Sequence, residues 1–214
     1  GPTRVVAGDA KLADVAFPPA STFKMVLAWA AFEEGIAAPS STFRVADKHV
    51  PGAPREVTLA EATFFSSNDA FVELASRLPK GRLERYVERS GFAGGPPPKD
   101  WLKEGPDSVR RGGTLRVTPR QEHAFALRVM RGELASSPKV QAQLLECLSW
   151  PGDAKARLYG KTGSMDGVRW FNGFGLEGKT ARAVTVLQSG PDATREGVVA
   201  AFYARFGLPP PKLP

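Results

Sequence analysis

Apolar residues in Ser21–Gly35 (STFKMVLAWAAFEEG) run nearly all the way round a helical wheel instead of along one stripe. Such a helix is expected to be buried on every side. Ser21-Thr22, following Pro18-Pro19-Ala20, supplies its start and Gly35 its stop. Val57–Phe65 and Asp69–Leu78 read as helices separated by Ser66-Ser67-Asn68, and Gly81–Ser90 as a short charged helix. Gly91–Gly113, rich in Gly and Pro, predicts a long surface loop, a length that is often functional. Thr118–Arg131 and Pro138–Leu148 are helical again. The pattern then changes period. Ala156–Lys161, Val168–Leu176 and Ala181–Gln188 are short and rich in β-branched and aromatic residues, with Glu177-Gly178 as a tight turn between the last two. Ala193–Phe206 returns to helix, Leu208–Pro214 is a proline-rich tail, and Thr3–Gly8 is a candidate strand. The order predicts an α+β fold in one domain, 1–214. Its helical part spans about 18–150, and its central antiparallel sheet with a closing helix about 154–207.

Composition narrows the chemistry. At 214 residues, 42% hydrophobic and 24% charged, the chain is that of an ordinary globular protein. The formal charge of +7 fits an anionic partner or a solvated basic surface. Without zinc-finger spacing or an RNP-like stretch, no nucleic-acid role is expected. The single cysteine, Cys147, excludes an intrachain disulfide and lies in an apolar helical pattern, so a buried structural thiol is expected. His49 and His123 are far apart, with no acidic or cysteine neighbour at ligand spacing, and no metal site is expected. No apolar run approaches the roughly 18 residues of a membrane span. The opening Gly1-Pro2 has the form left by a tag-cleaving protease, and no signal peptide precedes it.

Three short motifs remain. Ser21 and Lys24 form S-x-x-K at the opening of the buried helix, which puts both side chains on one face. A serine there has free backbone N–H groups around it, and an apolar wall lowers the pKa of a neighbouring lysine, making it a base. Taking that pKa from about 10.4 to about 7 requires roughly 4–5 kcal/mol, which burial can supply. Ser66-Ser67-Asn68 is S-x-N at a helix start, and Lys161-Thr162-Gly163 is K-T-G closing a strand. Each alone is equally an N-cap, a snorkelling lysine or a strand-end turn. In this order and context they resemble the motif set of serine β-lactamases and penicillin-binding proteins.

The resemblance is closest to class D serine β-lactamases and covers roughly Pro18 to Phe206. It rests on Pro19–Lys24 (PASTFK), Ser66–Ala75 (SSNDAFVELA), Gly112–Phe125, Tyr159–Ser164 and Arg169–Glu177 (RWFNGFGLE). The motif spacing is also short, 45 residues from Ser21 to Ser66 and 95 from Ser66 to Lys161. The resemblance implies that Ser21 is an acylated nucleophile and Lys24 its base, carboxylated by CO2 in typical class D enzymes, with no other cofactor. It implies that Ser66 relays a proton to the leaving nitrogen and that Lys161 supplies positive potential. Thr162 and Arg195 would bind a substrate carboxylate, and the backbone N–H groups of Ser21 and Ser164, beside Gly163, would form the oxyanion hole. Trp101 sits where the family has a tryptophan holding the lysine carbamate. The implied partner is a small-molecule β-lactam, and the implied location periplasmic or secreted.

Three departures bear on this. Asn68 stands where class D enzymes carry an apolar residue, Phe92-Ala93-Gly94 replaces their Y-G-N tripeptide, and little chain precedes the nucleophile. Asn68 is the penicillin-binding-protein pattern and disfavours lysine carboxylation. The alternatives are therefore a DD-peptidase or transpeptidase acting on cell-wall stem peptides, or a β-lactam sensor that acylates without turnover.

Overall fold

A computed structural model describes residues 3–213; Gly1-Pro2 and the last residue of the tail, Pro214, lie outside that range. The fold is organised around α1 (Lys24–Glu33), in which every residue through Phe32 is buried, as its all-round apolar pattern requires. Helices α2 (Leu59–Phe65), α3 (Asn68–Ser76), α4 (Arg82–Ser90) and α6 (Pro138–Cys147) make up the rest of the helical lobe, and α3, α4 and α6 pack directly on α1. A hairpin of β1 (Thr42–Val45) and β2 (Arg55–Thr58) lies against α3 and α2. The main sheet is antiparallel in the order β3 (Ser149–Trp150), β4 (Ala156–Met165), β5 (Val168–Glu177), β6 (Thr180–Ser189). Helix α5 (Pro119–Met130) packs on β5 and β6, and α7 (Arg195–Ala204) closes against β4, β5 and β6.

Alternation along the strands assigns the two faces of the sheet. Tyr159, Trp170 and Phe174 join the core of the helical lobe, whereas Leu158 and Phe171 join Val198, Phe202 and Tyr203 of α7. The Phe171 and Phe202 rings stack with centroids 3.9 Å apart. With both faces covered, β5 has to be apolar throughout, which explains its run of aromatic and small residues. Its one polar interior residue, Asn172, is completely buried.

The α+β architecture and the order of elements agree with the sequence reading, with local corrections. Val57–Phe65 is not one helix. Arg55–Thr58 is strand β2, and Thr58 then caps α2 reciprocally, its Oγ1 accepting from Glu61 N (3.1 Å) and its N–H donating to Glu61 Oε2 (2.9 Å). The helix expected from Ser21 opens with a 3-10 turn, Ala20–Phe23, before α1 begins. Strand β4 runs beyond Lys161 through the whole K-T-G motif, and its two-residue turn to β5 is Asp166-Gly167, with φ +48° and +73°. The long loop contains a 3-10 turn, Pro106–Arg111. Thr3–Gly8 is not a strand. It is exposed and pairs with nothing, leaving β6 as the outer strand of the sheet among the described residues. No helix among the described residues is long and apolar enough to cross a membrane.

Candidate active site

The Ser21 turn is held tightly. Ala20 sits at φ +52° and is 1% exposed, and the Thr22 N–H donates to Pro19 O (3.3 Å). The backbone N–H of Lys24 donates to the Ser21 carbonyl, so the two residues are one turn apart on the same face. Ser21 is half-buried, and its hydroxyl makes no hydrogen bond among the described residues.

Lys24 lies wholly beneath the surface. Its Nζ donates to Ser66 O (2.7 Å) and Asn68 Oδ1 (3.0 Å), with Ser66 Oγ at 3.3 Å. Burial, with help from the Arg110 guanidinium and against the pull of Asp47, lowers its pKa from 10.5 to about 7. The interhelical turn that meets it is shaped by backbone and caps together. Ser66 ends α2 at φ +62°, and Ser67 caps α3 by accepting from Ala70 N (3.2 Å). S-x-N is therefore both a cap, as Ser67 shows, and a pair of lysine ligands, Ser66 and Asn68.

Strand β4 forms the opposite wall. A side chain at Gly163 would place its Cβ 2.8 Å from Pro19 O and 3.2 Å from Thr22 N, so only glycine lets this strand approach the Ser21 turn so closely. Lys161, two residues earlier on the same face, is 1% exposed, and its Nζ donates to Thr162 O (3.0 Å). Its pKa is driven well down, by burial first, then by Lys24, then by Arg195. Gly160 N bonds Leu148 O (2.8 Å) on the β3 side, so the alternation of backbone groups directs the Ser164 N–H to that same edge, which beyond β3 is met by the Ser21 turn. Thr162 is buried and the Ser164 side chain exposed. Arg195 opens α7 half-buried and reaches towards Phe64 O (3.5 Å), close to the Ser66 turn. Burial lowers its pKa as well. Neither Lys161 nor Arg195 has a carboxylate partner within ion-pair distance among the described residues. Trp101 packs edge-on against Phe23 with centroids 5.7 Å apart, and Trp101 O accepts from Thr114 N (2.7 Å).

Several groups at the site were not legible in the sequence. Asp47 is the hub of the Ser66 turn. It accepts from the Ser67 hydroxyl, from Asn68 N (3.0 Å) and from Asp69 N (3.2 Å). His49 Nε2 meets the same Ser66 carbonyl that Lys24 uses, at 3.1 Å. On the other side of the Ser21 turn, Glu122, Asn172 and Thr22 form a fully buried polar cluster. A glutamate in the first turn of a predicted amphipathic helix carries no mark of burial, but an asparagine in the run RWFNGFGLE breaks an apolar pattern and could have been flagged.

Both the fold and the wall-to-wall arrangement of the three motifs define a class: a helical lobe and an antiparallel sheet meeting at a serine–lysine turn. The chain matches the model of the penicillin binding protein transpeptidase domain over residues 7–168, a stretch containing Ser21, Ser66 and Lys161, and it belongs to that family. Solved structures of similar fold include a class D β-lactamase from Bacillus subtilis (19% identity, 94% of this chain and 85% of that one, TM-score 0.78). They also include the class D β-lactamase YbXI from Nostoc (21% identity, 94% and 87%, TM-score 0.78) and BPu1 β-lactamase (21%, 84% and 75%, TM-score 0.70). The fold expected from the sequence resemblance is thus the observed one.

Proposed function

We propose that this chain is a class D-like serine β-lactamase that opens β-lactams by forming an ester on Ser21 and then hydrolyses that ester slowly. The observation that carries this reading is Lys24: completely buried, with an amine pKa near about 7, one helical turn from an unengaged serine hydroxyl and bonded to Ser66. A neutral amine at that position takes the Ser21 proton as the hydroxyl oxygen attacks the lactam carbonyl. The backbone N–H groups of Ser21 and Ser164 receive the oxyanion. Ser66, hydrogen-bonded to the same amine, passes its proton to the departing ring nitrogen and takes back the proton that Lys24 received from Ser21. Lys161, Thr162 and Arg195 bind the substrate carboxylate, whose negative charge favours protonation of a buried Lys161 that has no carboxylate partner among the described residues. Water then attacks the ester. A β-lactam substrate places the protein in the cell envelope or outside the cell.

Carboxylation of Lys24 fits these surroundings poorly. Of the three groups on its amine, the Ser66 carbonyl and the Asn68 Oδ1 can only accept, which suits N–H bonds and opposes a carbamate's oxygens. Trp101, packed on Phe23, supports the adjoining α1. Hydrolysis by a free amine is therefore expected to be slow and independent of bicarbonate. The same Asn68–Lys24 bond favours, as a second reading, a DD-peptidase acting on stem peptides. Mass spectrometry after exposure to penicillin, with a chromogenic cephalosporin followed in parallel, tests both. The expected result is a covalent adduct absent in Ser21→Ala, with measurable turnover. An adduct that persists in Ser21→Ala removes the nucleophile. Release of D-Ala from a peptide with negligible β-lactam turnover moves the protein to the second reading, and a single burst with a stable adduct makes it a sensor.

A further inference from the structure

Behind the Ser21 turn lies a carboxyl that the proposed chemistry does not use. Glu122, on α5, is 0% exposed, and its two oxygens meet Thr22 Oγ1 and Asn172 Nδ2, the latter at 2.6 Å. Thr22 Oγ1 also lies 2.7 Å from Pro19 O. Asn172 Nδ2 spends its second proton on Glu122 O (2.8 Å), and Asn172 Oδ1 accepts from Thr185 Oγ1 on β6 (2.7 Å). The cluster therefore ties α5, the Ser21 turn, β5 and β6 together through residues whose neighbours are Ser21 and, across the strand pair, Lys161, the register partner of Asn172.

Proton counting shows which form of the acid lets the Thr22 hydroxyl bond both of its neighbours at once. Thr22 has one hydroxyl proton, and Pro19 O can only accept. When Thr22 donates to Pro19 O, the Glu122 oxygen beside it must be the donor, which a carboxylate cannot be. The neutral acid satisfies every atom: Glu122 donates to Thr22, Thr22 to Pro19, Asn172 to Glu122 and Thr185 to Asn172. Ionisation would pull the Thr22 proton off Pro19 O and leave a negative charge without a cation. The charged or titratable groups on the surrounding elements are Arg120 (paired with Asp14), His123 and Arg128 on α5, Lys24 and Glu33 on α1, Arg157, Tyr159 and Lys161 on β4, Arg169 and Glu177 on β5, and Arg182 on β6. None of them hydrogen-bonds Glu122. Burial raises its pKa from 4.5 to about 8, against the Thr22 and Asn172 hydrogen bonds.

We propose that Glu122 is a positioning residue that acts as a neutral acid, holding Thr22 and Pro19 so that Ser21 stays against β4, and that losing its proton releases the turn and slows acylation. The inference rests on the Ser21 acyl-enzyme reading. It gives acylation two limbs with pH, a rise as Lys24 loses its proton and a fall as Glu122 loses its own. A glutamine can donate to Thr22 and accept from Asn172 as the neutral acid does, but it cannot ionise.

Stopped-flow acylation by a chromogenic cephalosporin from pH 5 to 10 tests this. The wild type is expected to rise near pH 7 and to fall about sixfold from its maximum by pH 9, one unit past the Glu122 value. Glu122→Gln keeps the rise and loses the fall, and Glu122→Ala acylates more slowly than Glu122→Gln at every pH. An infrared band of a buried neutral carboxyl, present at pH 6 and absent both at pH 10 and in Glu122→Gln, provides a readout independent of turnover. A fall that persists in Glu122→Gln, or a wild type with no fall, overturns the proposal. If Glu122→Ala does not fold, the glutamine profile and the infrared band still decide. A wild type that never forms a Ser21 adduct removes the acyl-enzyme reading itself, while an adduct with identical profiles in wild type and Glu122→Gln removes only the role of Glu122.

Discussion

Two buried polar clusters flank the same turn, and they are built on opposite principles. On the Ser66 side, a buried lysine is surrounded by acceptors, with two further basic side chains, Lys161 and Arg195, nearby. On the sheet side, a buried carboxyl meets a hydroxyl and an amide, both neutral. Burial disfavours charge in both, so it frees a base in the first and keeps an acid protonated in the second. The first cluster is suited to exchanging protons with a substrate, the second to keeping its own and holding geometry. On the proposed reading, catalysis and positioning are separated by a single residue step, Ser21 to Thr22.

Removing the base should break the comparison most visibly. Lys24→Ala is expected to lower the acylation rate by about 10²–10⁴, the usual share of general-base catalysis, in stopped-flow assays. Gly163→Ala attacks the contact between the clusters. Its Cβ would stand 2.8 Å from Pro19 O, and the cost is expected to be about 1–3 kcal/mol in urea unfolding, with slower acylation. Asn68→Ala takes one acceptor from the Lys24 ammonium and so disfavours the charged form. The acid limb of acylation should then move below its position near pH 7, by about half a unit or more. An acid limb that moves up would mean that desolvation is relieved instead.

The last prediction concerns stability. Glu122 has its folded pKa raised, so its contribution is complete below the ordinary value of 4.5 and is lost as pH rises through about 8. Lys24 has its folded pKa lowered, so its contribution is lost as pH falls from 10.5 through about 7. Thermal denaturation of Glu122→Gln against wild type should therefore move in favour of the variant between pH 5 and pH 8. A difference constant over that range would mean that Glu122 is already ionised.

The first cluster was readable in the sequence because its members belong to short motifs: S-x-x-K fixes a helical face, S-x-N a helix start and K-T-G a strand. The second was not, because Thr22, Glu122, Asn172 and Thr185 are scattered over four elements, and only Asn172, which breaks an apolar run, stands out locally. Asp47 was hidden for the same reason, lying about 20 residues before the turn it organises. Among the elements, the long periodic helices were legible, whereas β1 and β3 were not. Four residues and two residues respectively give too short a run for alternation to show. Thr3–Gly8 has the composition of a strand, but pairing is a tertiary event that local preference does not decide.

Cys147 lies in α6 at 2% exposure, and burial raises its thiol pKa to about 12. While the protein stays closed, almost none of the reactive thiolate exists, and alkylating reagents have no route to it. Once that part of the core opens, the sulfur regains its normal acidity and can be labelled. The chain thus carries one intrinsic clock, with no competing sulfhydryl, whose ticking reports how often the interior breathes.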